Sequence, residues 1–274
     1  MRIQPATKTV AVVVPLSMTF NPGADEELSL RHLTHFLGKY DKYMVAPQGL
    51  CVDYPGFQVK HFSKRFFGSA LAHGKMQLSP EFYKSFLDYK YILMYHLDAL
   101  VFSDQLLEWC KADFDLIAPP WVAHEDAPYK IDGLFAGKVG NGGFALYKVA
   151  SFLKVLNSTR YAIDPEFYEK EASKVERGPK RWVLKAKSWL KRSKRFNDVK
   201  WETGRGVKIS DLFWATRAQH YYPEFKIAPV DVALRFGFEC VPRHCFELTN
   251  HTLPFGCHAW QRYDREFWEP FLLK

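Results

Sequence analysis

The chain has 274 residues, 47% hydrophobic and 25% charged, so it can bury a sizeable core and is not a disordered polypeptide. Its formal charge of +8 is unevenly spread: Arg177 to Lys200 holds ten Lys or Arg against one acid, Asp198, a local +9 that leaves −1 for the rest. That distribution excludes a general nucleic-acid surface and points to one discrete basic feature.

Lys8 to Pro15 (Lys-Thr-Val-Ala-Val-Val-Val-Pro) reads as a buried first strand. Pro15 interrupts the apolar run to Phe20, and no small-x-small cleavage pattern follows, so the run is not read as a signal peptide. Leu30, Leu33, Leu37 and Tyr40 recur at helical spacing, and Lys42 to Pro47 is a second strand. Strand, helix, strand implies parallel pairing through a right-handed crossover. Phe57 to His61 is a third, shorter strand, and Ser69 to Gln77 and Pro80 to Tyr89 are helical.

Tyr91 to His96 is an apolar strand followed by a lone acid, Asp98. A charge there is costly unless something pairs with it. In open α/β sheets ligands bind at the carboxyl ends of the strands, so Asp98 can face a ligand through a cation. The plain alternative is a turn cap before a helix starting at Ser103-Asp104 and running to Cys110. Asp115 to Pro119 is another strand, and Pro120 to Lys138 a loop able to close over a ligand. Val139-Gly-Asn-Gly-Gly-Phe-Ala-Leu-Tyr147 leads into a helix from Lys148 to Asn157. Its glycines allow close backbone approach, and Asn141 can donate and accept; a tight turn is the alternative.

Within the basic segment Trp182, Val183, Ala186, Trp189 and Leu190 share one helix face, with cations over most of the rest. Such a helix suits an anionic membrane surface, or else packs its apolar face on the domain. Ser210 is expected to cap a helix through His220, with Asp211 in its first turn as a possible base. Phe225 to Val230 and Val232 to Glu239 suggest short strands, and His251 to Trp260 is irregular. His258 in it is a metal ligand or a satisfied core histidine. Cys51, Cys110, Cys240, Cys245 and Cys257 form no Cys-x-x-Cys pair, which favours a reducing compartment. No stretch reaches the roughly 18 apolar residues that span a bilayer.

The series Tyr-Ile-Leu-x-Tyr-x-Leu-Asp-Ala-x-Val-Phe, Ile-Ala-Pro-Pro-Trp, Val-Gly-Asn-Gly-Gly-Phe, Asp-Leu-Phe-Trp and Pro-Phe-Gly-Cys-His-Ala-Trp resembles a family of uncharacterised glycosyltransferase-like proteins, itself similar to the GT-A glycosyltransferases. The resemblance runs from about Thr9 to Trp260, without the basic insert. It implies an α/β, GT-A-like (Rossmann-like) mixed and mainly parallel sheet flanked by helices. It would be a single domain over residues 1–274, with a basic helical insert at residues 165–205. It also implies a metal-dependent transferase that moves a sugar from a nucleotide-diphosphate sugar to a hydroxyl of a glycan or lipid-linked acceptor, in surface polysaccharide synthesis. Asp98 and His258 would hold a divalent cation, Mn2+ or Mg2+, and His96, Asp98, Asn141, Gly142 and Gly143 would bind the donor. Asp211 would be the catalytic base, with inversion favoured. His96 stands where the family pattern has its first Asp, and Ser210 where it has Glu. The expected location is cytoplasmic, peripheral at the inner membrane face through Arg177 to Lys200, with no nucleic-acid partner. The rival expectation is a weak or inactive GT-A-like binding protein that docks on a membrane or partner through the basic helix.

Overall fold

The computed structural model describes residues 6–127, 135–205 and 209–274. The expected loop at Pro120 to Lys138 therefore lies partly outside the described residues. The strands are β1 (Lys8–Pro15), β2 (Asp41–Pro47), β3 (Gln58–Phe62), β4 (Tyr89–Tyr95), β5 (Leu100–Val101), β6 (Leu116–Ile117), β7 (Phe144–Lys148), β8 (Gly237–Phe238) and β9 (Gly256–Cys257). The helices are α1 (Ala24–Leu37), α2 (Ala70–Gln77), α3 (Pro80–Lys84), α4 (Leu106–Lys111), α5 (Val149–Leu156), α6 (Phe167–Ser173), α7 (Pro179–Lys191), α8 (Val199–Arg205), α9 (Ser210–Tyr221), α10 (Val230–Phe236), α11 (Pro242–Leu248) and α12 (Arg265–Trp268).

Six strands form one sheet in the order β3-β2-β1-β4-β7-β6. Strands β1 to β4 pair in parallel, and β7 runs antiparallel to both β4 and β6. The apolar run Val10 to Pro15 of β1 sits between β2 and β4, where both faces are covered. Its side chains alternate between the two layers, as a period of two requires. Ala11 and Val13 join Ile92, Met94, Tyr147, Phe152 and Trp214 on one face. Val12 and Val14 join Leu30, Leu33, Leu93, Tyr95 and Phe144 on the other. A three-stranded sheet, β5-β9-β8, follows the end of β4 and packs on Trp260 and Trp268.

Several elements differ from the sequence reading. The helix from Pro80 ends at Lys84, because Tyr89 is drawn into β4 opposite Lys8. The helix expected from Ser103-Asp104 starts at Leu106, and Asp104 instead accepts a 2.8 Å hydrogen bond from the Tyr40 hydroxyl. Phe225 to Val230 makes only a bridge, Leu116 to Ile227. Val232 to Glu239 is largely helical: Val230, Ala233 and Leu234 have helix spacing, and only Gly237–Phe238 forms a strand. Ser210 is the first helical residue of α9, not its N-cap; Ile209 takes that position.

Gly256 shows how tightly the second sheet is set. A Cβ there would lie 2.3 Å from Phe144 Cζ and 2.5 Å from the Leu100 carbonyl oxygen. Gly256→Ala is therefore expected to destabilise the fold by about 1–3 kcal/mol. Urea unfolding should show a lower midpoint at unchanged slope; an unchanged midpoint contradicts this packing.

Candidate functional site

Strand β4 ends at Tyr95, and the chain turns immediately. His96 N–H donates to the Gly143 carbonyl at 2.8 Å, and Ala99 N–H donates to the His96 carbonyl at 3.0 Å. The Ala99 carbonyl accepts from Ser29 Oγ at 2.6 Å and from the Tyr95 hydroxyl at 3.0 Å. This turn carries His96 and Asp98 past the end of the sheet. Strand β9 then pairs antiparallel with β5, Leu100 against Cys257, so His258 leaves the pair where Asp98 enters it.

His258 Nε2 lies 3.2 Å from Asp98 Oδ1, and His258 Nδ1 lies 3.3 Å from Glu239 Oε1. Burial alone would lower the His258 pKa, but the Asp98 and Glu239 carboxylates outweigh it and push it up to about 10. Burial opposes ionisation of Asp98, yet His258 and then His96 hold it well below the usual carboxylate range. The imidazolium is thus clamped between two carboxylates. Without its Nε2 proton His258 still donates Nδ1–H to Glu239 and presents its Nε2 lone pair toward Asp98, the arrangement that orients a ligating histidine. One ligand atom each from His96, Asp98 and His258 lies within 4.8 Å of the other two. Bond lengths of about 2.0–2.6 Å put such a set within reach of one divalent cation. Two imidazoles and a carboxylate suit a first-row metal such as Mn2+ better than Mg2+, which prefers oxygen.

A hydrogen-bond chain leads from His96 to Ser210, beside Asp211. Gln77 Oε1 accepts from Ser210 Oγ at 2.8 Å, and Gln77 Nε2 faces the Gly142 carbonyl at 3.5 Å and His73 Nε2 at 3.2 Å. An amide nitrogen can only donate, so His73 accepts at Nε2 and carries its proton on Nδ1. His96 Nε2, 3.1 Å from that same nitrogen, must then donate, which leaves His96 Nδ1 as the nitrogen able to ligate. Burial lowers the pKa of both rings, His73 to about 4, so both are neutral.

At the other end, Asp211 Oδ2 accepts the Gly142 N–H at 2.9 Å, and Asp211 Oδ1 lies 3.1 Å from Ser210 Oγ. Burial raises its pKa, while the Gly142 N–H, Ser210 and the more distant His258 work against that. The glycine loop makes both approaches possible. A Cβ on Gly142 would lie 2.6 Å from Asp211 Oδ1, and a Cβ on Gly143 only 2.0 Å from His258 Nε2.

Asp211, His96, Asp98, His258, Gly142 and Gly143 all line one cavity of about 860 Å3. The opposite wall is built by the chain after β1, at Ser17 to Thr19, and the start of α2. Among the described residues lining it there is no Lys or Arg, while Glu26, Asp98 and Asp211 are acids. Asn141 is not among the lining residues: it is buried, and its Oδ1 accepts the Gly143 N–H at 3.0 Å, which shapes the loop. His73, Gln77 and Glu239 were not singled out from the sequence. Glu239 left a faint signal, an acid between Phe238 and Cys240 in an apolar stretch.

The sequence pattern of the family described as protein of unknown function (DUF5672) matches residues 56–258. The chain belongs to the DUF5672 family. The matched span of this DUF5672 chain includes every residue of the cation cluster, the glycine loop and Asp211. No curated protein matches it in sequence. Among solved structures, an active-site mutant of LgtC is 13% identical, covers 95% of this chain and 94% of its own, and has a TM-score of 0.50. The galactosyltransferase LgtC, solved with donor and acceptor sugar analogs, is 12% identical over 96% of each chain, with a TM-score of 0.49. The glycosyltransferase GlyE of Streptococcus pneumoniae TIGR4, in its apo form, is 14% identical over 98% of this chain and 61% of its own, with a TM-score of 0.39. The DUF5672 chain has a GT-A-like fold: a mixed, mainly parallel sheet flanked by helices.

The contact between Gly143 and His258 generates a direct test. Gly143→Ala should push the His258 ring away and abolish Mn2+-induced thermal stabilisation, whereas Gly23→Ala, whose Cβ meets nothing within 4 Å, should keep it. Equal Mn2+ shifts in both variants would contradict the assignment of His258 to a cation site.

Proposed function

We propose that this DUF5672 protein is a metal-dependent glycosyltransferase that moves a sugar from a nucleotide-diphosphate sugar to a hydroxyl of a glycan or lipid-linked acceptor in surface polysaccharide synthesis. The observation that carries this reading is the charge pattern of the cavity. It holds three acids and no described Lys or Arg, and the His258 imidazolium is already paired with Asp98 and Glu239, so a diphosphate needs a compensating cation. His96, Asp98 and His258 offer the place for one. A divalent cation bound there supplies positive charge for the departing diphosphate.

The remaining chemistry belongs to the chain's own groups. The acceptor oxygen forms a bond to the anomeric carbon as the bond from that carbon to the diphosphate oxygen breaks. Asp211 takes the acceptor's proton on a carboxylate oxygen. Its burial raises its basicity, and the Gly142 N–H keeps the ionised form accessible. This role requires inversion at the anomeric carbon. The close backbone at Gly142 and Gly143 lets Asp211 and His258 pack directly against the loop that lines the cavity, where the sugar would bind. The His73–Gln77–Ser210 chain holds His96 in the tautomer that leaves Nδ1 for the cation.

The experiment is a thermal-shift screen of nucleoside diphosphates with and without Mn2+, followed by turnover with the matching nucleotide sugars. Stabilisation should need both nucleotide and metal, and ligand at a hundredfold its Kd should add about 2.7 kcal/mol. Asp98→Asn should remove the metal-dependent shift and the turnover. Asp211→Asn should keep the shift and lose turnover by about 100-fold or more. Stabilisation without metal, or turnover unchanged in Asp98→Asn, would contradict the proposal. Metal-dependent nucleotide binding with no turnover for any donor would leave a binding protein instead.

A further inference from the structure

We propose that helix α7 is a docking surface for an anionic lipid bilayer. This stands apart from the transferase reading and rests on how the helix is seated. Its inward side is Arg181, Leu184, Ser188 and Lys191, at i, i+3, i+7 and i+10. Ser188 Oγ donates to the Pro165 carbonyl at 3.0 Å, and Lys191 Nζ donates to the Phe196 carbonyl at 2.8 Å while lying over the Trp201 ring. The helix thus uses its polar side to hold the protein and turns its apolar side outward, the reverse of an ordinary surface helix.

The outward stripe is Trp182, Val183, Ala186, Trp189 and Leu190. Trp182 is 75% exposed and Trp189 76%, values that mark rings with almost no protein contact. Val183 and Leu190 are exposed as well, and so is Phe167 on α6, which packs against α7. Five of the ten exposed large apolar side chains among the described residues therefore sit on these two helices. A patch this concentrated marks a contact surface.

Charge identifies the occupant. At about 100° per residue, Lys185 flanks the stripe on one side and Lys180 and Lys187 on the other. None of the three makes an ion pair among the described residues. A bilayer offers an apolar layer for the Trp and Leu side chains and, just above it, anionic headgroups for the lysines. A nucleic acid would satisfy the lysines and stack on the tryptophans, but it offers nothing to Val183, Ala186 and Leu190. No helix among the described residues is long and apolar enough to cross a membrane, so this contact would be made along the surface. The segment is also tied to the helix that carries Asp211: Arg217 on α9 pairs with Glu202 on α8 at 2.8 Å and donates to the Ala162 carbonyl at 2.6 Å. Docking through α7 would therefore seat on the bilayer the segment to which α9 is tied.

Vesicle co-sedimentation of the full chain tests this with phosphatidylcholine alone and with phosphatidylcholine containing phosphatidylglycerol. Binding to the anionic vesicles should be about tenfold tighter or more, and should weaken as salt is raised. The double variant Trp182→Ser, Trp189→Ser should lose about tenfold in affinity with an unchanged unfolding midpoint, since both rings are exposed. Brominated lipid should quench tryptophan emission in the parent and much less in the double variant. Asp98→Asn should sediment like the parent, which separates this result from any failure of the transferase reading. Equal binding to both vesicle types, no binding, or parent-like binding by the double variant overturns the proposal. So does retention on an anionic polymer without vesicle binding, which would assign the helix to a polyanion.

Discussion

The candidate site depends on a short pairing between two strands of two residues each. Leu100 faces Cys257 and Val101 faces Gly256, and this register brings His258 against Asp98. Slipping it by one residue would turn every side chain to the other face and send His258 into the protein. The pairing is enforced from several sides. Trp260 N–H donates to the Asp98 carbonyl at 3.2 Å, His258 N–H donates to the Phe238 carbonyl at 2.9 Å, and Gly256 leaves room only for Phe144 and the Leu100 carbonyl. Because β5 directly continues the turn after β4, the central sheet and the cation cluster are one mechanical unit.

From this constraint follow the electrostatics. A histidine between two carboxylates balances charge in a cavity that is otherwise acidic. Exchanging its Nε2 proton for a divalent cation would keep Glu239 as a hydrogen-bond acceptor and Asp98 as a partner. On the far side of the glycine loop, Asp211 sits at the start of α9, where the helix N-terminus and the Gly142 N–H favour its ionised form while burial opposes it. Adjacent glycines of the loop make the two contacts: Gly143 meets His258 and Gly142 meets Asp211.

Much of this was legible in the sequence where one element suffices to read it. The apolar runs of β1, β2 and β4 and the leucine spacing of α1 announced the parallel sheet and its first crossover. Asp98 stands out because it follows an apolar strand, Asp211 and His258 are candidates from their local sequence with plain alternatives beside them, and the resemblance is what joins the three into one site. What stayed hidden depends on partners distant in the chain. His73 and Gln77 look like ordinary residues of a short helix until Ser210 and His96 meet them. The hydroxyl of Ser210 suits an N-cap, yet Gln77 recruits it and Ile209 takes the cap. Helix α10 resembles a strand in sequence because its valines satisfy strand propensity as well as helix spacing. The period of α7 was plain in the sequence, but which side faced outward was a matter of tertiary packing.

The central claim is that His96, Asp98 and His258 together hold a divalent cation that meets a nucleotide diphosphate. An anomalous-difference map from crystals grown with Mn2+ and a nucleoside diphosphate tests it most directly. The account predicts one strong manganese peak within about 2.0–2.4 Å of one atom from each of the three residues, with diphosphate oxygens completing the coordination. A map with no peak there, or with manganese bound only elsewhere, would contradict it.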